Sequence, residues 1–141
     1  MSIFVLVHGS WHDGSAWIAV VDHIEAKGHL AFAPTIAGHG KGVDKNVNHA
    51  QCTQLIVDYI VSKDLTDIVL LGHSFAGTII AKVAETIGDR IRRLIFFDAF
   101  VLNDGESLTH ILHLEIWMSK PELRARGINR SISSKRRDSA N

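Results

Sequence analysis

The chain has a single cysteine, Cys52, among 141 residues. No disulfide can therefore form within it, and the flanking Ala-Gln-Cys-Thr supplies no paired ligand for a zinc site. Cys52 reads as a small, partly buried helix residue. Neither sign of charge is in excess: 15 basic and 15 acidic residues give a formal net charge of +0. No global field would draw the chain to nucleic acid or to an anionic membrane. Long apolar runs are also lacking. None approaches the roughly 20 residues that span a bilayer, and the opening run Ile3 to Val7 has no basic leader before it, so a cytoplasmic location is expected. There is no internal repeat.

What is present is the balance of one globular domain, with 46% hydrophobic and 21% charged residues. Ile3 to Val7, Ile68-Val-Leu-Leu and Leu94-Ile-Phe-Phe are short, continuous apolar runs. They suit strands buried on both faces of a parallel sheet, and Leu30-Ala-Phe-Ala before Pro34 is a weaker fourth. Helical spacing lies between them. Ser15 can cap a helix with Trp17, Val20, Val21 and Ile24 on one face and Gly28 as its stop. Thr53 precedes Leu55, Ile56, Tyr59 and Ile60, and Phe75 to Ile87 carries Ile79, Ile80, Val83 and Ile87. This alternation predicts an α/β fold: an open, mostly parallel sheet with helices on both faces and ligands at the C-terminal ends of its strands.

The pattern divides the chain into a core over 1–108 and a divergent end over 109–141. Leu108 to Met118 has the spacing of one amphipathic helix. Beyond it the sequence is basic and Ser-rich, with Arg124-Ala-Arg-Gly and Ser131-Ile-Ser-Ser-Lys-Arg-Arg, and reads as a flexible, solvated terminus before a nucleic-acid tail.

Two segments carry chemistry. Gly72-His73-Ser74-Phe75-Ala76-Gly77 lies between a buried strand and a helix, the setting of a nucleophile elbow, which needs small residues two before and two after the serine. Gly72 and Ala76 meet that need, although Ala76 stands where glycine is usual. The plainer alternative is that Ser74 caps the following helix. The second segment, Val7-His8-Gly9-Ser10-Trp11-His12, can aim a backbone N–H into the cleft opposite that of Phe75, making an oxyanion hole. His8 and His12 are four apart, but Gly9 argues against a helix between them and no carboxylate joins them, so no metal site is expected. The cluster Gly38-His-Gly-Lys-Gly42 has no helix directly behind it, which disfavours a phosphate cradle.

These segments, with Trp17, Pro34-Thr-Ile-Ala-Gly-His-Gly40, Phe97-Asp-Ala-Phe-Val101 and Asp104-Gly-Glu-Ser107, resemble the α/β-hydrolase superfamily, in its small esterase and hydroxynitrile-lyase-like branch. The resemblance covers about residues 2–108. It implies a cofactor-free site acting on a small-molecule ester, with Ser74 as nucleophile, the amides of Ser10 and Phe75 as oxyanion donors, and His8, Gly9, Gly72, His73, Ala76 and Gly77 in support. The family's acid and histidine lie on later strands, so the chain is expected to be a shortened or frame-shifted form with an exposed sheet edge prone to self-association. Asp98 and Asp104, followed by His110 and His113, keep the order serine, acid, histidine as weak substitutes. Three readings follow: a serine-dependent carboxylic ester hydrolase, a catalytically dead binding module, and a cofactor-free lyase.

Overall fold

The computed structural model describes residues 1–108, and the chain divides into two units, Met1–Val101 and Leu102–Asn141. The first unit is a four-stranded, wholly parallel sheet. Its strands are β1 (Ile3–Val7), β2 (Leu30–Phe32), β3 (Ile68–Ser74) and β4 (Ile91–Ala99), and they lie in the order β2-β1-β3-β4. Three α-helices alternate with them: α1 (Ile18–Glu25), α2 (His49–Ser62) and α3 (Ala76–Ile87). The fold is that of a partial α/β hydrolase.

The pleat sends Val5, Val7, Ile68 and Leu70 to one face, where α2 and α3 cover them. Ile56, Ile60, Ile79, Ile80 and Val83 from those helices complete a cluster with no more than 1% exposure at any of these nine residues. Each such side chain contributes about 1.5–3 kcal/mol by leaving water. Cys52 lies in the same cluster, 4% exposed, where burial raises the pKa of its thiol. Among the described residues the opposite face, with Phe4, Leu6, Ala31 and Val69, is flanked by the short α1 and the turn that precedes it.

Several boundaries differ from the sequence expectation. The first helix starts as a 3-10 turn, Gly14–Trp17, and Asp13 rather than Ser15 caps it by accepting from the Ser15 amide. That tighter turn rotates the face: Trp17, Val21 and Ile24 are half-buried, while Val20 points out, 39% exposed. Helix α2 begins at His49 instead of beyond Thr53, since Asn48 and Gln51 form a reciprocal capping box, each side chain bonding the other's backbone amide at 2.9 and 2.8 Å. The polar stretch before Cys52 shows no apolar period, which hid this start. Strand β4 runs from Ile91, three residues ahead of its apolar run, because pairing with β3 carries Arg92 and Arg93 along an outer strand. Among the described residues no helix is long and apolar enough to cross a membrane.

Leu70→Ala is expected to lower unfolding free energy by about 2–5 kcal/mol, as large-to-small core changes do. Val20→Ala should change it by less than about 0.5 kcal/mol. Urea denaturation of both variants checks the assignment of α1's outward face.

Candidate active site

The strand order sets the location of the site. From β1 the chain moves outward to β2, then returns across β1 to β3. At such a reversal, neighbouring strands send their connections to opposite faces, and a crevice opens above their C-terminal ends. Here the connection after β1 leads to α1 on one face and that after β3 to α3 on the other. The pairing Val7↔Gly72 sets the end of β1 level with a residue two before the end of β3. The turns at Gly9-Ser10 and His73-Ser74 consequently meet: a Cβ built on Gly9 would lie 3.1 Å from Ser74 Cβ and 3.1 Å from His73 Nδ1.

Ser74 occupies the left-handed region, with φ 55°, a conformation that costs a non-glycine residue about 1–3 kcal/mol and persists only where surrounding structure enforces it. The enforcement is visible. Helix α3 starts at once with Phe75 at φ −51°, ψ −35°, and the backbone N–H of Phe100 donates to the Ser74 carbonyl at 3.1 Å. In a trans peptide the next N–H points opposite the carbonyl, so this bond from beyond β4 aims the Phe75 amide away from β4. Gly77 makes the approach possible, since a Cβ there would sit 2.3 Å from Phe100 O and 2.9 Å from Ala99 Cβ. Ala76, in the position where glycine is usual, is fully buried and faces Gly72, where an added Cβ would lie 2.8 Å from the Ala76 carbonyl oxygen. The departure at 76 is accommodated because the tight contact with β4 falls at 77.

His8 is 1% exposed. Its Nε2 accepts from the Ile36 amide at 2.9 Å, and its Nδ1, which then carries the proton, donates to the Gly9 carbonyl at 2.8 Å. Both ring nitrogens are spent on main chain, so His8 is a strut between the loops after β1 and β2, with no lone pair left for a metal. Burial lowers its pKa below the ordinary 6.5, against the opposing effect of the Gly9 bond. Among the described residues, neither the Ser10 nor the Phe75 amide has a hydrogen-bond acceptor. A cleft of about 240 Å³ is lined by His8, Gly9, His12, Ala16, Trp17, His73 and Phe97; Gly9 and His73, the chain neighbours of Ser10 and Ser74, reach it, while Ser10, Ser74 and Phe75 are not among its lining residues.

The sequence model of the alpha/beta hydrolase family matches residues 4–137. The chain belongs to that family. It is 36% identical over 115 residues to a carbendazim hydrolyzing esterase of Nocardioides sp. (strain SG-4G), an alignment covering 79% of this chain and 48% of the relative. An extracellular alpha/beta-hydrolase from a Paenibacillus species superposes with TM-score 0.76 and 44% identity, covering 78% of this chain and 46% of that one. An alpha-hydroxynitrile lyase of Arabidopsis thaliana is 29% identical over 119 residues, covering 77% and 44%. The chain thus spans about half the length of the relatives it matches.

Not every residue singled out in the sequence joins the cleft. Asp98, exposed and at φ 42°, lies on β4 beside the elbow, where the β3–β4 register slips between His73 and Ser74. Asp104 belongs to a turn of the second unit, closed by Glu106 N–H to Asn103 O at 3.1 Å. His110 and His113 lie outside the described residues. The structure also adds residues that sequence reasoning missed. His39 stacks on Phe75 with ring centroids 6.4 Å apart and meets His8 edge-on at 5.1 Å, while His49 meets the Phe75 ring edge-on at 5.9 Å. The Asn48–Gln51 capping signature marked the start of α2, and with it the place of His49.

Because the folded pKa of His8 is depressed, the unfolded chain binds more protons between that value and 6.5. Stability is full above pH 6.5 and should fall as pH drops below it. Urea midpoints at several pH values check this, and His8→Gln should flatten the slope. Gly77→Ala should destabilise by about 1–3 kcal/mol, as overpacking does, and should weaken protection of the Phe100 amide in hydrogen exchange.

Proposed function

We propose that the chain is a serine-dependent hydrolase of small carboxylic esters, attacking through Ser74. The observation that carries this reading is Ser74 held at φ 55° against the Gly9 turn, with the Ser10 and Phe75 amides beside it unspent. In the proposed reaction Ser74 Oγ attacks the acyl carbon. The carbonyl oxygen takes the developing negative charge, where two fixed N–H donors stabilise it; one such donor is worth about 10²–10³ in rate. The Ser74 proton passes to a general base and returns to the departing alkoxide as the intermediate collapses, so the alcohol is expelled; water then attacks the acyl-serine, its proton passing the same way, and the acid is released. Esterase activity in a relative 36% identical to this chain supports an ester as substrate. Gly72, His73, Ala76 and Gly77 shape the elbow in this reading, and His8 and Gly9 hold the opposing turn. Asp98 does not line the cleft, and the other weak candidates for acid and base, Asp104, His110 and His113, belong to the second unit.

A fluorophosphonate should label folded protein at Ser74, and labelling should vanish in Ser74→Ala. No label on the folded chain would reject the proposal, and ester turnover equal in the two proteins would favour a binding module. The relative named an alpha-hydroxynitrile lyase favours a second reading, cofactor-free cleavage in the same cleft. Cyanohydrin breakdown that depends on Ser74 without ester hydrolysis would select it.

A further inference from the structure

We infer that His49 and Thr78 are positioning residues for the oxyanion arm, joined in a hydrogen-bond relay that ends on the Phe75 carbonyl. The inference rests on the serine reading of the site and adds to it two residues from outside the motif. Thr78 Oγ1 lies 2.9 Å from Phe75 O and 2.9 Å from His49 Nε2. A hydroxyl has one proton to give. A carbonyl can only accept, so with that proton on Phe75 O the 2.9 Å contact makes His49 Nε2 the donor to Thr78 Oγ1, the tautomer this relay requires. The relay then runs in one direction: His49 Nε2–H to Thr78 Oγ1–H to Phe75 O.

The target of the relay gives it a role. Phe75 O also accepts from the Thr78 backbone amide at 3.1 Å, so two donors from one residue hold the first turn of α3. On the other side, Phe100 N–H holds the Ser74 carbonyl. The Phe75 N–H lies between these anchors, and fixing both flanking carbonyls limits rotation about Phe75 φ, the torsion by which this donor would swing away from an oxyanion. A Thr hydroxyl bonding three residues back is by itself ordinary helix behaviour. The second member distinguishes this one: His49 comes from α2, is exposed outside the apolar cluster, and places its ring edge-on to Phe75. Desolvation and, next, the charge of Lys82 lower the pKa of His49.

The test measures the rate and affinity of fluorophosphonate labelling at Ser74 in the full chain, alongside urea midpoints and the ¹⁵N signals of the His49 ring. Thr78→Val removes the hydroxyl at constant volume and should slow labelling about tenfold at unchanged probe affinity, a part of the 10²–10³ lost with an oxyanion donor. Thr78→Ser should restore the rate to within about twofold, because the hydroxyl returns. His49→Phe, which keeps an aromatic ring but no donor, should match Thr78→Val, and His49→Gln should retain most of the rate. The wild-type ring should show the Nε2-protonated tautomer. Labelling of Thr78→Val at the wild-type rate, or an Nδ1-protonated His49, overturns the relay while leaving the serine reading intact. A folded wild type with no Ser74-dependent labelling overturns both.

Discussion

The parallel pairing of β1 with β3 is the constraint on which everything else in the described fold depends. Five residue pairs, from Ile3↔Ile68 to Val7↔Gly72, bring together two segments more than sixty positions apart. Apolar side chains on both faces hold that register: Val5 and Leu70 against α2 and α3, Leu6 and Val69 on the side of α1. A slip of one residue would invert every one of these positions. With the register fixed, the two chain exits stand side by side, and the direction of each connection opens the space between them.

At that point the backbone does more than the side chains. The strained serine, the trans peptide that follows and the amide of Phe100 form a single mechanical unit, made possible by the bare Cα of Gly77. The local cost of a left-handed serine, about 1–3 kcal/mol, is met by the apolar packing of α3, whose Ile79, Ile80 and Val83 are all fully buried. The histidines are chiefly braces. His8 ties two loops through its ring, and His49 reaches through Thr78 to the start of α3. Their lowered pKa values share a first cause, the removal of water from the imidazoles, and His8 in addition accepts at Nε2 as only a neutral ring can. A fold that relies on neutral imidazoles is one whose integrity is tied to pH on the acid side.

The architecture and the elbow were legible because each has a local cause. Continuous β-branched runs require a two-sided sheet, and a small-X-Ser-X-small segment between strand and helix permits few other shapes. The polar start of α2 was not legible from periodicity, because the first turn of that helix is exposed and its capping box is a signal of side-chain chemistry. Nor was the outward turn of Val20, which follows from a 3-10 start that shifts the helix phase. His39, His49 and Thr78 are close only in space, and the motif that placed Ser74 contains none of them.

The sequence alone thus determined the order of strands and helices and the position of the sharp turn at Ser74, since these depend on neighbouring residues and on water's rejection of apolar surface. Only the tertiary structure decided how the Phe75 amide is aimed, what His8 spends its nitrogens on, and why glycine is needed at 77 more than at 76. Those outcomes depend on contacts between segments that lie far apart along the chain, and distances of a few ångströms between them are set by the packing of the whole sheet.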